Sequence, residues 1–145
     1  MKKHLLILLL ISSSAVAGSP PVTAVRSTDA KNICTTLTST IRNVPQGIKN
    51  QVYRNAGITY GERTLCPAGY EVDHRISLEL GGTNDISNLQ LQAYCTRAEL
   101  SPNFPKSVLY DARAKDALEN SLHKDICTGK ISPVAAQNVI YNWKN

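Results

Sequence analysis

Residues 70–92, YEVDHRISLELGGTNDISNLQLQ, form the stretch of sequence that decides the fold. Its two ends, 70–80 and 86–93, are rich in β-branched and aliphatic side chains, which favour strands. Between them lies GGTND, residues 81–85, a run of residues typical of turns. The stretch therefore predicts two antiparallel strands joined by a loop.

An Asp-His pair, Asp73 and His74, stands inside the first predicted strand. Adjacent residues of a regular strand point to opposite faces, so the two side chains converge only if the backbone bends or bulges there. A carboxylate is a ligand for a hard divalent cation, and a neutral imidazole accepts a proton from water. The pair is therefore a candidate for metal-assisted attack on a phosphodiester, against the alternative of a surface Asp beside a structural His.

Asn88 lies at the start of the second predicted strand, fourteen residues after His74. Its amide both donates and accepts, so we expect it to hydrogen-bond backbone groups across the hairpin and to fix the loop that follows the histidine. Gly81 and Gly82 suit a tight turn within that loop. These residues indicate a loop shaped to hold His74 in place.

Patterns typical of helices flank the hairpin on both sides. Residues 44–56 carry apolar side chains four positions apart and predict a short amphipathic helix. Residues 109–127 repeat this spacing and predict a longer helix. Ser132 and Pro133 are an N-cap and first-turn pair, so a last helix is expected after them. The predicted fold class is α+β, a two-stranded element surrounded by helices.

The first 17 residues have the pattern of a secretory signal peptide. Lys2 and Lys3 form a basic start, residues 5–11 are an unbroken apolar run, and Ala17 ends a small-x-small cleavage signal. The apolar run is shorter than a membrane-spanning helix requires. We therefore expect cleavage near Ala17 and export to the periplasm or the extracellular space.

The rest of the chain is expected to form one domain. Residues 18–32 are polar, contain Pro20 and Pro21, and are interpreted as a flexible arm. Residues 33–145 suffice for a single domain with a modest core, and they contain no apolar run of membrane-spanning length. We therefore expect a monomer with no membrane segment after removal of the signal peptide.

Four cysteines follow the predicted signal peptide, at spacings of 32, 29 and 32 residues. No C-x-x-C pair is present, which disfavours a structural zinc site, and an even number of cysteines in an exported chain favours disulfides. Four cysteines allow three pairings. We favour Cys66–Cys95, which flank the quoted stretch, and Cys34–Cys127, which tie the first helical region to a later helix.

The quoted stretch resembles the HNH nuclease motif, or ββα-metal finger. Four groups of residues carry the resemblance, in the order and spacing of that motif: Asp73-His74, Gly81-Gly82, Asp85 and Asn88-Leu89. A second block, AKDALENSLHKDICTGKISPVAAQNVIYNW (114–143), resembles part of small exported HNH-domain proteins. The resemblance implies a ββα-metal finger, a hairpin plus a helix. It also implies a divalent metal ion, usually Mg²⁺ with Mn²⁺ or Zn²⁺ as alternatives, and cleavage of nucleic-acid phosphodiesters.

The resemblance also implies roles for particular residues. Asp73 would be the first metal ligand, and His74 the general base that activates water. Asn88 would be the residue that orients the base. The motif ends in a helix that supplies a further ligand, and Asp111 stands where that ligand is expected. An aspartate is an acceptable ligand for a hard cation.

Glu119 lies eight residues further along that helix, about 12 Å along its axis. It would reach the same ion only through a metal-bound water, and it is assigned a catalytic role of that kind. Asn120 and His123 are alternatives for the helix ligand.

Three basic residues flank the implied site and are candidate phosphate contacts: Arg75, Arg113 and Lys115. The formal charge of +5 falls to +3 without the two lysines of the predicted signal peptide, which is by itself a weak indication of a polyanionic substrate. The implied function is an exported, metal-dependent endonuclease of low sequence specificity, with DNA favoured over RNA. The alternative is a catalytically silent nucleic-acid-binding module on the same scaffold.

Overall fold

A computed structural model describes residues 18–144, so the predicted signal peptide, residues 1–17, lies outside the described residues. Within the described range the fold is α+β, as predicted. The elements in chain order are α1 (Ala30–Thr35), α2 (Thr38–Ile41), α3 (Gln46–Asn55), β1 (Tyr70–His74), β2 (Leu89–Ala93), α4 (Ala112–Cys127) and α5 (Pro133–Tyr141). None of these helices is both long enough and apolar enough to cross a membrane.

Strands β1 and β2 form an antiparallel hairpin that ends with His74 opposite Leu89. Both strands are shorter than predicted, because 3₁₀ turns at Leu78–Leu80 and Ile86–Asn88 occupy the loop side. Leu78 and Leu80 alternate with a polar residue, a pattern that predicts a strand. In the structure both leucines belong to the first turn, and both are buried. A turn that places two leucines in the core therefore replaces the second half of the predicted strand.

One face of the hairpin packs against α3 in a first hydrophobic core. Its buried residues are Val52, Tyr53, Ile58, Cys66, Leu89, Leu91, Ala93, Cys95, Phe104 and Val108. The three residues from β2 are alternate positions of the strand and so point to the same face. Helix α3 lies inside the predicted range 44–56. The Cys66–Cys95 disulfide belongs to this core.

A second hydrophobic core joins α1, α4, α5 and the loop after β1. Its buried residues are Ala24, Ile33, Ile76, Leu80, Leu122, Ile126, Ala136 and Ile140. The Cys34–Cys127 disulfide ties α1 to the last residue of α4. Both predicted disulfide pairings are thus confirmed, and each bond staples one of the two cores.

The predicted helices of the C-terminal half are present. Helix α4 begins three residues later than the predicted range 109–127 and ends at its last residue. Ser132 caps α5 by accepting a hydrogen bond from the backbone N–H of Ala135 at 3.2 Å, and Pro133 is the first helical residue. Local capping chemistry therefore sets where α5 begins.

Residues 18–32, predicted to be a flexible arm, instead pack against the hairpin loop. The backbone N–H of Arg26 donates to the carbonyl of Gly81 at 2.7 Å, and that of Thr83 donates to the carbonyl of Ala24 at 3.1 Å. Ala24 is fully buried, and α1 begins inside this range. Polar composition alone does not reveal backbone groups that pair with a distant loop.

Candidate active site at the end of the hairpin

Asn88 closes the loop between the two strands by bonding backbone across the hairpin, as its sequence position predicted. Its Oδ1 accepts from the backbone N–H of Ile76 at 2.9 Å, and its Nδ2 donates to the carbonyls of Ile76 and Thr83 at 2.9 and 2.8 Å. The side chain is fully buried, so these bonds replace contacts with water. The loop is thereby held on both sides of its turn, directly after His74.

Gly81 and Gly82 are required by the shape of this loop. Gly81 has a φ of 87°, a left-handed conformation that glycine adopts without steric cost. A Cβ on Gly82 would lie 1.9 Å from the carbonyl oxygen of Ile76 and 2.9 Å from Nδ2 of Asn88. The two glycines therefore allow the loop to close at the point where Asn88 holds it.

His74, the last residue of β1, is 4% exposed and is held by Asn84. Its Nε2 lies 2.9 Å from Oδ1 of Asn84, whose Nδ2 donates to the carbonyl of Ile41 at 2.7 Å. Because the amide donates through Nδ2, its Oδ1 is the acceptor, and Nε2 of His74 therefore carries the proton. This tautomer leaves the lone pair on Nδ1, the nitrogen that can accept a proton.

The environment of His74 keeps the imidazole neutral near pH 7. Burial lowers its pKa below the ordinary value of 6.5. The hydrogen bond with Asn84 and the charge of Asp73 oppose the shift, whereas the charges of Arg42 and Lys115 add to it. A neutral imidazole is the form that a general base requires.

The carboxylate of Asp73 contacts a buried lysine of α4. Nζ of Lys115 lies 2.7 Å from Oδ2 of Asp73 and donates to the carbonyl oxygen of His74 at 2.8 Å. The carboxylate of Glu119, one helical turn further on, is the third partner of the same ammonium. Lys115 is only 1% exposed. Three acceptors thus satisfy the three N–H donors of this side chain.

Burial and charge shift the pKa values of this cluster. Burial alone would lower the pKa of Lys115, but the charges of Asp73 and Glu119 and their hydrogen bonds raise it above its ordinary value. Burial raises the pKa of Glu119 to about 7, with a contribution from Asp73 and with Lys115 acting in the opposite direction. At neutral pH Lys115 therefore carries its proton, and Glu119 is close to the midpoint of its titration.

The side chains of Asp73 and His74 do not converge on one point. β1 pairs regularly with β2 at both residues, so their side chains lie on opposite faces of the strand. The carboxylate reaches Lys115 of α4, while the imidazole reaches Asn84 of the loop. The bulge considered from the sequence is absent from the hairpin. The two residues are joined instead by the Lys115 ammonium, through the carboxylate of one and the carbonyl of the other.

A groove of about 280 Å³ opens beside this cluster, between α2, the turn after β1 and α4. It is lined by Thr38, Arg42, Ser77, Leu78, Glu79, Asp116, Glu119 and Asn120. The hydroxyl of Ser77 has no hydrogen-bond partner within residues 18–144, although the residue is only 7% exposed. Such a group is stabilised when a ligand or water bonds to it. The groove therefore offers an exposed guanidinium, from Arg42, and a hydroxyl to a bound group.

The residues that the resemblance assigns to a metal ion do not form a ligand set. Asp73 is paired with Lys115, whereas Asp111 is paired with Lys144 at 3.2 Å. A divalent ion placed between Asp73 and Glu119 would compete with the Lys115 ammonium for the same oxygens. The arrangement of donors around Asp73 therefore does not fit Mg²⁺.

One group of three potential ligands does exist elsewhere in the described chain. Ligand atoms of Cys34, His123 and Cys127 lie within 4.8 Å of one another. Both cysteines are used in their disulfide, which leaves no thiolate to bind a metal. His123, an alternative for the helix ligand, thus stands beside this disulfide, with its Nε2 3.7 Å from the Cys127 sulfur.

The other predicted residues have different surroundings. Lys115 is buried in its ion pairs, so its ammonium is not available for the phosphate contact predicted for it. The guanidinium of Arg75 stacks over the ring of Tyr141, 4.5 Å from its centroid. Arg113 is exposed on α4. Asn120, the other alternative ligand, lines the groove.

Sequence reasoning did not find Asn84, Arg42 or Ser77. Asn84 lies in the GGTND run, where an asparagine is expected for turn formation alone. Arg42 follows the four-residue helix α2, for which the sequence offers no periodic signal. Its position near His74 depends on how α2 packs against the loop, which periodicity cannot predict.

Comparisons with known proteins identify no relative. No family model matches the chain, and no curated protein or solved structure gives a significant match. A function for this chain therefore has to be argued from the geometry of the site.

Proposed function

We propose that this protein is an exported endonuclease that hydrolyses nucleic-acid phosphodiester bonds, with His74 as general base and Glu119 as general acid. The observation that carries the proposal is the hydrogen-bonded chain from His74 through Asn84 to the carbonyl of Ile41. This chain fixes the tautomer and leaves Nδ1 to accept a proton. DNA is the favoured substrate. We expect it to be cut with little sequence preference, because contacts to phosphates carry no sequence information.

The acid and base roles follow from pKa values that are moved in opposite directions. Burial lowers the pKa of His74, so its imidazole is free to accept a proton at neutral pH. Burial raises the pKa of Glu119 to about 7, so a large fraction of this carboxyl group holds a proton to donate. A carboxyl group whose pKa is raised beside an imidazole whose pKa is lowered leaves an acid that holds its proton and a base that is free to accept one, as acid–base catalysis requires.

In the proposed reaction a water molecule attacks the phosphorus atom of a phosphodiester. A new P–O bond forms to the water oxygen, and the water proton passes to Nδ1 of His74. The P–O bond to the leaving nucleotide oxygen breaks, and that oxygen takes the proton of Glu119. Proton exchange with solvent then restores both side chains.

Arg42 is proposed as the phosphate contact in place of Lys115. It is exposed, lines the groove together with Glu119, and lies close enough to His74 for its charge to lower the pKa of the imidazole. A guanidinium forms paired hydrogen bonds to phosphate oxygens. The unpartnered hydroxyl of Ser77 supplies a further donor in the same groove.

The two disulfides support the proposed export, because such bonds persist in oxidising compartments. A monomer of one domain, acting outside the cytoplasm on free nucleic acid, is the assembly we propose.

The test is cleavage by the purified protein and by its His74→Ala variant. Plasmid, linear duplex, single-stranded DNA and RNA are each incubated with Mg²⁺, Mn²⁺, Zn²⁺ or EDTA. We expect the variant to lose cleavage under every condition in which the wild type cuts, while its circular dichroism spectrum is retained. His123→Ala, a change beside the Cys34–Cys127 disulfide, is the matched control and should cut normally. Equal nicking by wild type and His74→Ala would contradict the assignment of the base.

The second candidate is a catalytically silent nucleic-acid-binding module on the same scaffold. The observation that favours it is the burial of Lys115 between Asp73 and Glu119, where the resemblance implies a catalytic metal. The same substrates distinguish the two candidates. Binding of labelled DNA that weakens in Arg42→Ala, without cleavage in any condition, would support the module.

A further inference from the structure

The positive charge between the carboxylates of Asp73 and Glu119 comes from a side chain of this protein, Lys115. We propose that the Lys115 ammonium takes the place of a divalent metal ion between Asp73 and Glu119, so that the site neither binds Mg²⁺ nor requires it. The catalytic half of this inference rests on the proposed function. The half that concerns metal binding rests on the contacts of Lys115 alone.

The ligands around Lys115 are those that a hard metal ion uses. The ammonium is 2.7 Å from a carboxylate oxygen of Asp73 and 2.8 Å from the backbone carbonyl oxygen of His74, and it contacts the carboxylate of Glu119. Carboxylate and carbonyl oxygens are the preferred ligands of Mg²⁺ and Ca²⁺. The chain thus builds a cation site of two carboxylates and one carbonyl, and fills it with its own lysine.

The lysine is fixed in this site by the fold. Lys115 and Glu119 are four residues apart on α4 and therefore share a helix face. Helix α4 is anchored by Leu122 and Ile126 in the second core and by the disulfide at its last residue. Moving the ammonium out would leave the buried carboxylate of Glu119 and the partly buried carboxylate of Asp73 without their partner, which is unfavourable.

Lys115 acts on the proposed reaction as a positioning residue. At 1% exposure its ammonium is too deeply buried to contact a substrate phosphate. Its hydrogen bond to the carbonyl of His74 instead fastens the end of β1, and with it the base, to α4. The exposed charge available to the substrate is then that of Arg42, which lines the groove.

The test measures Mn²⁺ binding by electron paramagnetic resonance, with Mn²⁺ as the probe for a hard divalent cation. We expect no saturable binding by the wild-type protein. Lys115→Asn removes the ammonium and supplies an amide oxygen, so this variant should gain saturable binding, which a further Asp73→Asn change should abolish. Lys124→Asn, an exposed lysine on the same helix, should behave like the wild type. Saturable binding by the wild type that is lost in Asp73→Asn would overturn the inference.

A second measurement covers the case in which Lys115→Asn does not fold. The melting temperature of the wild-type protein should be the same in millimolar Mg²⁺ and in EDTA, because a ligand that binds only the native state raises it. A rise with Mg²⁺ that is absent in Asp73→Asn would overturn the inference.

Cleavage assays separate this inference from the proposed function. Nicking in EDTA at the rate seen with Mg²⁺ supports both the nuclease function and the inference that the site does not require Mg²⁺. Nicking that requires Mg²⁺ and Asp73 would overturn the inference and leave the nuclease function in place. The absence of nicking in every condition, with the Mn²⁺ results as expected, would overturn the catalytic function and leave the lysine-filled cation site in place.

Discussion

Glu119 shows how burial decides the chemistry of a single side chain. From the sequence it is expected to act through a metal-bound water from its position on the predicted helix. In the folded chain it is 7% exposed and shares the ammonium of Lys115 with Asp73. Burial raises the pKa of Glu119 to about 7, because the loss of water disfavours its charge more than the ammonium favours it. A stability measurement tests this shift without any assumption about function.

We expect Glu119→Gln to become progressively more stable than the wild type as the pH rises from about 4.5 to 7. Glu119 has a folded pKa above its ordinary value of 4.5, so its contribution to stability is complete below pH 4.5 and is lost as the pH rises through 7. Glutamine stays neutral, so its contribution to stability does not change over this pH range. The difference in free energy of unfolding should change by about 3 kcal/mol over this range, measured by urea denaturation, because each unit of pKa shift corresponds to about 1.4 kcal/mol.

Glu99→Gln serves as the control for this prediction. Hydrogen bonds from the backbone and the hydroxyl of Thr96 lower the pKa of Glu99, so its titration lies below the same pH range. Because the carboxyl group of Glu99 titrates near 4.5 in the unfolded chain, the difference between this variant and the wild type should be flat from about pH 5.5 to 7. A Glu119→Gln variant that loses stability relative to the wild type as the pH rises would show that the ionised carboxylate is favourable in the ion pair.

At the scale of elements, the loop between β1 and β2 is held in one conformation by hydrogen bonds across it. Asn88 bonds both sides of it, and the backbone of Arg26 bonds the carbonyl of Gly81 at its tip. His74 stands at one end of this unit and Asn84, its hydrogen-bond partner, lies within it. The loop therefore positions the proposed base both through the chain that follows His74 and through the hydrogen bond with Asn84. Its conformation requires that residue 82 have no side chain.

We expect Gly82→Ala to destabilise the protein and Gly47→Ala to stabilise it. A Cβ at Gly82 would lie 1.9 Å from the carbonyl oxygen of Ile76, so the loop must shift, at a cost of about 1–3 kcal/mol or more. Gly47 lies in α3 with no atom within 4 Å of the added carbon, so alanine there should contribute about 0.5–1 kcal/mol. Urea denaturation of both variants is the measurement. Equal effects at the two positions would mean that the loop adapts without cost.

At the scale of the whole molecule, the fold has two hydrophobic cores, and one disulfide stabilises each of them. Cys66–Cys95 lies inside the core beneath the hairpin, and Cys34–Cys127 fastens α1 to the end of α4 across a separation of 93 residues. Cys34–Cys127 closes the longer loop, so it lowers the conformational entropy of the unfolded chain more than Cys66–Cys95 does. It also anchors the helix that carries Lys115.

We expect the double variant Cys34→Ala, Cys127→Ala to lose about 4 kcal/mol of unfolding free energy, because its bond closes the longer loop. The hairpin should persist, since its core contains neither cysteine. Cys66→Ala, Cys95→Ala is the comparison, and it should also lose packing because both sulfurs are buried. Urea denaturation and near-ultraviolet circular dichroism provide the readout. A loss below about 1 kcal/mol for the first variant would show that α1 is held by its packing alone.

The sequence by itself determined the features that depend on local spacing. The hairpin between residues 70 and 93, the N-cap of α5 and the backbone bonding of Asn88 follow from turn residues, capping residues and an amide at a strand start. The positions of the cysteines favoured one of three possible disulfide pairings, and the structure contains that pairing.

Only the tertiary structure decided the centre of the candidate site. It placed Lys115 between Asp73 and Glu119, brought Arg42 near His74, and paired the supposed arm with the loop. The physical reason is that a charged residue on an amphipathic helix has the same local pattern whether it faces water or two carboxylates. Its environment depends on which distant element packs over it, and that is set by the shapes of the two cores.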